Sequence, residues 1–184
     1  MRDLIRQAHA NLIRDGAIHA FPNFLGPKME GVVKYGDLLS LDGGCRLPSG
    51  YFSDIGRTIP IAGSLTSKVK DFLEKKIEVH KQIIKLFRDG NTPKNIINET
   101  NKLHKELGLL PTVFFGHHLG LEIHDLADLG IELYEKPLRS GMVLTYEPMA
   151  KDAETGLVCH IENDVLVTPN GGKVLDQLPL DFLW

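Results

Sequence analysis

Five metal-binding side chains fall, in order, inside short apolar strand-like runs: Asp42 in LLSLD, Asp54 in YFSDIGRT, His117 in FFGHHLGLEIH, Glu147 in MVLTYEP and Glu162 in VCHIEND. Acidic residues ordinarily keep to loops and solvated helix faces, where hydration costs nothing. Four carboxylates drawn into a sheet interior lose that hydration and repel one another, so a fold that buries them must also bring in cations. A pair of divalent ions supplies the compensation, and oxygen ligands with one imidazole suit manganese, zinc, cobalt or iron. The pattern reads as a two-metal hydrolytic centre.

Length and composition narrow the setting. At 184 residues, 42% hydrophobic and 24% charged, the chain is sized for a single domain, residues 1–184, with a sizeable core. A net charge of −3 with no Lys/Arg block offers no surface for nucleic acid or an anionic membrane. Apolar stretches such as Gly141 to Tyr146 fall far short of the ~20 residues of a membrane span. The opening MRDLIRQAHANLIRDG scatters charges through its apolar positions, unlike a secretory signal. Cys45 and Cys159 are too few and too distant for a disulfide framework or a zinc knuckle; they read as free thiols of a reducing cytoplasm.

Periodicity predicts a helix over residues 2–15, with Leu4, Ile5, Ala8, Leu12 and Ile13 on one side and Gly16 as its stop. Residues 17–37 read as irregular. Strands are predicted over 38–43 and 51–60 around a Pro48-Ser49-Gly50 turn. A long helix follows over 67–88, then a second from an N-cap at Thr92, with Pro93 in its first turn, to Gly108. Further strands are predicted over 111–115, 120–124, 142–148 and 157–168. Segregated helices and antiparallel strands make an α+β fold. Strand alternation puts Val158, His160, Glu162 and Asp164 on one face, and Val143, Thr145 and Glu147 on another. His9, His80 and His104 are expected at helix surfaces or as satisfied core residues, and Tyr51 and Tyr146 in the core.

The runs GDLLSLDGG…GYFSDIGRT, GHHLGLEIHD, LRSGMVLTYEP and HIENDVLVTPNGG resemble successive motifs of the pita-bread metallopeptidases, the superfamily of methionine aminopeptidase, prolidase, aminopeptidase P and creatinase. The likeness covers roughly residues 36–175, and LGLEIHD is closer to prolidase and aminopeptidase P. It implies the pita-bread fold, a curved antiparallel sheet covered by helices. It also implies that Asp42 chelates one metal, His117 and Glu147 hold the other, and Asp54 and Glu162 bridge the two. A metal-bridging hydroxide would attack the N-terminal peptide bond, an Xaa-Pro bond by preference, of a peptide or dipeptide substrate. Glu147 would shuttle its proton and His124 would stabilise the carbonyl oxygen. The motif's opening GH favours His117 over His118, which would face the other way. Manganese, cobalt or zinc, with iron as a further candidate, would be the cofactor.

Three departures from the pattern stand out. Asp42 and Asp54 are one residue further apart than is usual. The extra residue is expected in the Arg46–Ser49 turn; within a strand it would turn one carboxylate to the wrong face. His160 stands where proline peptidases show arginine, and reads as a replacement for the arginine's hydrogen bonds, a pH-sensitive neighbour, a substrate contact or an extra ligand; Val113 stands near an additional histidine of aminopeptidase P. The N-terminal half is short, with a single helix, so His19 is an unanchored match for the family's substrate-contacting histidine and a homodimer is expected to cover exposed sheet. The alternatives are a non-peptidase enzyme on this scaffold (an amidinohydrolase or lyase) and a non-catalytic binding module.

Overall fold

The computed structural model describes residues 2–25, 32–125 and 134–180. Its first sheet is built on one hairpin. β3 (Leu38–Arg46) and β4 (Phe52–Pro60) pair antiparallel from Leu38 opposite Pro60 to Arg46 opposite Phe52, with no bulge between. Any extra length between Asp42 and Asp54 therefore lies in the 47–51 turn and leaves strand phase intact. Gly50 takes a φ of 93° there, a conformation that glycine enters at no steric cost. On the other edge of β3 lie β1 (His19–Ala20) and β2 (Asn23–Leu25), both antiparallel to it. The irregular reading of 17–37 is corrected for those residues. Such short segments carry no alternation of their own, and the unpaired edge of β3 selects them. Residues 26–31 of that stretch lie outside the described residues.

The helices follow their sequence signals closely. α1 (Arg2–Arg14) forms as predicted; none of its residues is fully buried, and along its apolar side Ile5, Ala8 and Leu12 are half-buried while Leu4 and Ile13 are exposed. α2 (Ser67–Ile84) opens on Thr66, whose hydroxyl accepts from the Val69 N–H, and ends short of the predicted Arg88. In α3 (Pro93–Glu106), the Thr92 hydroxyl accepts from the Asn95 N–H at 3.2 Å. Val79, Ile83 and Ile84 of α2, with Ile96 of α3, pack on Phe115, Leu144, Tyr146, Val165 and Val167. The first half of α2 sets Val69, Phe72 and Leu73 against Leu109, Ala150, Cys159 and Ile161.

A second sheet runs β5 (Val143–Tyr146), β8 (Asn163–Thr168), β9 (Gly171–Val174), and β6 (Ala150–Lys151) pairs with β7 (Val158–Cys159). The single strand predicted over 157–168 is thus two strands. Between them, Glu162 crosses to β4, donating its N–H to the Gly56 carbonyl at 2.9 Å and accepting from the Gly56 N–H at 3.4 Å. This crossing joins the two sheets. The strands predicted at 111–115 and 120–124 are also absent. Residues 115–119 run along β5 with three backbone bonds, but Gly116 sits at φ 148° and breaks the extended path. Beyond it the chain folds back, with the Asp125 N–H on the His118 carbonyl at 2.9 Å. Tyr146 is fully buried, whereas Tyr51, expected in the core, is 61% exposed in the hairpin turn.

Candidate metal centre

Residues directly opposite in an antiparallel pair share a face, as do residues two apart. Asp42 stands opposite Gly56, and Gly44 opposite Asp54, so both carboxylates project from the same face of the hairpin. The Gly56–Glu162 crossing lays Glu162 beside them. His117 and Glu147 come from the second sheet's side. Potential ligand atoms of Asp54, His117 and Glu162 lie within 4.8 Å of one another, and so do those of Asp42, His160 and Glu162. Glu162 belongs to both groups. His117 Nε2 is 3.5 Å from Asp54 Oδ2 and 3.3 Å from Glu147 Oε1, which brings Glu147 to the first group. His160 Nε2 is 3.9 Å from Asp42 Oδ1 and 3.5 Å from Glu162 Oε2. All five residues singled out by type converge.

The expected substrate contacts are less uniform. The exposed His124 has its ring 4.1 Å from that of His117, beside the cluster. His160 is buried among the carboxylates, 2% exposed. His19 pairs with Arg46, four residues along β3 from Asp42, or roughly 13 Å at the rise of a strand, and its ring lies against Phe21 and Phe52. Val113 is exposed.

A surrounding set of hydrogen bonds holds the cluster. The His117 N–H donates to Thr145 Oγ1 at 3.0 Å, and that hydroxyl donates to Glu147 Oε1 at 2.9 Å. His117 Nδ1 meets the His118 carbonyl at 3.0 Å, so it carries the proton and Nε2 presents its lone pair to the carboxylates. The Asp54 N–H donates to both oxygens of Asp164 at 3.3 and 3.2 Å. Buried Arg57 donates to the carbonyls of Gly56, Glu162, Leu178 and Pro179, and pairs with Asp176 at 3.2 Å. Sequence reasoning missed Arg57. The signal was present: a charged residue inside an apolar strand run invites the argument applied to Asp54.

Burial pushes Glu147 up to about 7, against the pull of His117 and Thr145. Asp164 also rises to about 7 through burial, with the Asp54 N–H opposing. Glu162 lies well above the ordinary carboxylate range, through burial and then the charges of Glu147, Asp54, Asp42 and Asp164. Burial and Asp54 raise Asp42. For His117, burial works downward, but the partners Asp54, the His118 carbonyl and Glu147 outweigh it and the net shift is upward. His160 is lowered to about 4 by burial, then by Lys76 and Arg57.

Buried polar atoms in native proteins are nearly always hydrogen-bonded. Among the described residues, eight buried side-chain nitrogen or oxygen atoms have no such partner, and five of them belong to Asp54, His160 and Glu162. Carboxylate oxygens that lack donors, in a cluster whose members raise one another's proton affinity, have the chemistry that divalent cations satisfy. The residues fit the metal.

Residues 6–169 match metallopeptidase family M24, and the chain belongs to that family. It is 32% identical over 175 residues to Xaa-Pro aminopeptidase 3 of Rattus norvegicus, covering 80% of this chain and 34% of that protein. It is 30% identical over 164 residues to the mitochondrial intermediate cleaving peptidase 55 of Arabidopsis thaliana, covering 78% of this chain and 32% of that one. The chain thus spans about a third of the length of these curated relatives. Among solved structures, the prolidase from Pyrococcus furiosus superposes with a TM-score of 0.82 at 29% identity, over 97% of this chain and 56% of that one. The fold is the pita-bread fold of prolidase and aminopeptidase P.

Proposed function

We propose that the chain forms, as one catalytic domain, a dinuclear metal-dependent exopeptidase centre that hydrolyses an N-terminal peptide bond, with Xaa-Pro as its preferred class. The observation that carries this is Glu162. It is fully buried, both its carboxylate oxygens lack a donor, and it is common to two groups of ligand-type side chains. Asp54 and Glu162 would lie between two cations, with Asp42 on one side and His117 and Glu147 on the other. Manganese, cobalt, zinc or iron would supply Lewis acidity and a water acidified into the neutral range.

The chain's own groups do the rest. Glu147, beside His117 at the edge of the cluster, takes a proton from the attacking water and returns it to the departing amine nitrogen. Thr145 keeps that carboxylate aimed through its 2.9 Å bond. His124, beside His117, donates to the carbonyl oxygen as negative charge develops there. Two free cysteines are in keeping with the reducing cytoplasm included in this reading.

The test is an assay of the chain, loaded with each metal, on a panel of Xaa-Pro and Met-Xaa peptides. Turnover on Xaa-Pro bonds is expected, with Glu147→Gln lowering kcat by about 10²–10⁴-fold, the usual worth of a positioned acid–base group. Metal-replete protein inert on the whole panel would overturn the proposal.

A further inference from the structure

Among the roles that the sequence leaves open for His160, the geometry favours one. It stands where the resemblance leads one to expect arginine, yet it is 2% exposed and lies inside the cluster. Nε2 is 3.9 Å from Asp42 Oδ1 and 3.5 Å from Glu162 Oε2. Two donor atoms each about 2.1 Å from one ion are separated by roughly 3–3.5 Å, so these spacings are close to those of ligands sharing a cation. Neither ring nitrogen has a hydrogen-bond partner.

The neighbourhood is shaped around this ring. A Cβ on Gly56 would fall 2.3 Å from His160 Nε2, 2.4 Å from its Cδ2 and 3.0 Å from Glu162 Cβ. Gly56 is also the residue opposite Asp42, so the bare backbone at that position is what lets an imidazole reach Asp42 and Glu162 together. The backbone of His160 is clamped from both sides by one hydroxyl. Its N–H donates to Thr58 Oγ1 at 2.8 Å, and Thr58 Oγ1 lies 3.0 Å from its carbonyl oxygen. Ser40 braces that hydroxyl at 2.7 Å. An orphaned nitrogen, the clearance left by Gly56 and a fixed backbone together specify where Nε2 points.

We propose that His160 is a direct metal ligand, completing the Asp42–Glu162 side of the centre with a nitrogen donor. This rests on the two-cation reading above. It gives each cation one imidazole, His117 for one and His160 for the other, in place of an all-oxygen set on the Asp42 side. Carboxylate-only sites favour manganese and magnesium, whereas imidazole favours zinc, iron, nickel and copper. The Asp42 side of this chain is therefore tuned toward the softer metals.

X-ray absorption at the zinc edge counts imidazoles without relying on activity. The full chain loaded with zinc to saturation is expected to show an average of about one imidazole per zinc, falling to about half in both His160→Gln and His117→Gln. By calorimetry, His160→Gln should weaken one zinc equivalent by at least about tenfold, the scale seen for loss of even an outer-shell partner, while manganese affinity changes less. Two bound zinc ions with about half an imidazole each in the unaltered chain would overturn the inference and leave the metal centre standing. Failure to bind zinc stoichiometrically would remove both. The count in the unaltered chain decides the matter even where a variant does not fold.

Discussion

Gly116 shows how closely single residues are tied to the site. It sits at φ 148°, and a Cβ there would fall 2.1 Å from the Thr145 carbonyl oxygen. This close approach is what allows the His117 N–H to reach Thr145 Oγ1, and through it Glu147. Gly116→Ala should therefore cost about 2–4 kcal/mol, combining backbone strain with a backbone clash. Denaturant unfolding of the two chains measures it, and equal midpoints would contradict this account. At this scale much of the site was legible, because carboxylates in apolar runs are anomalous by type alone. Arg57 is anomalous by the same criterion, but its partners were not legible: its five donations go mostly to backbone carbonyls that no side-chain pattern announces. Asp164 was placed on the right face by alternation, but its bond to the Asp54 N–H spans 110 residues.

Among the elements, α2 and α3 were readable because their signals are local: a 3.6-residue period, and threonine N-caps that accept from N–H groups three residues on. The β3–β4 hairpin was readable for the same reason. β1 and β2 were not, since their identity comes from pairing with a strand about 20 residues away. The run 157–168 misled because it alternates as one strand while Glu162 leaves the β8 path to bond Gly56. α1 is the reverse case: its period was readable, yet the fold leaves Leu4 and Ile13 of its apolar side more than 40% exposed.

For the whole molecule, the cost of gathering carboxylates should appear in stability. Without metal, Glu147 and Asp164 hold protons to about 7, and Asp42 and Glu162 are raised as well. A carboxyl whose folded pKa is raised stabilises fully below its unfolded value, and that contribution is lost as pH rises through the folded value. Between about pH 6.5 and 8, unfolding free energy should fall by on the order of 1 kcal/mol for each of Glu147 and Asp164. Depressed His80, His104 and His160 act with the opposite sign, and since an unfolded histidine is still half protonated near pH 6.5, they offset much of this fall across the window. Lys76, lowered to about 8, adds stability only above that pH. Saturating divalent metal should raise Tm more at pH 8 than at pH 6.5, because fewer protons then compete with it for the clustered carboxylates. A metal-induced rise that is equal or smaller at the higher pH would count against the picture. The most direct measurement is the metal content of the dialysed chain by mass spectrometry after loading with zinc or manganese. The account predicts about two ions per chain, and fewer than one in Glu162→Gln because both cations lose a shared ligand. Fewer than one ion in the unaltered chain, or an unchanged content in Glu162→Gln, would contradict it.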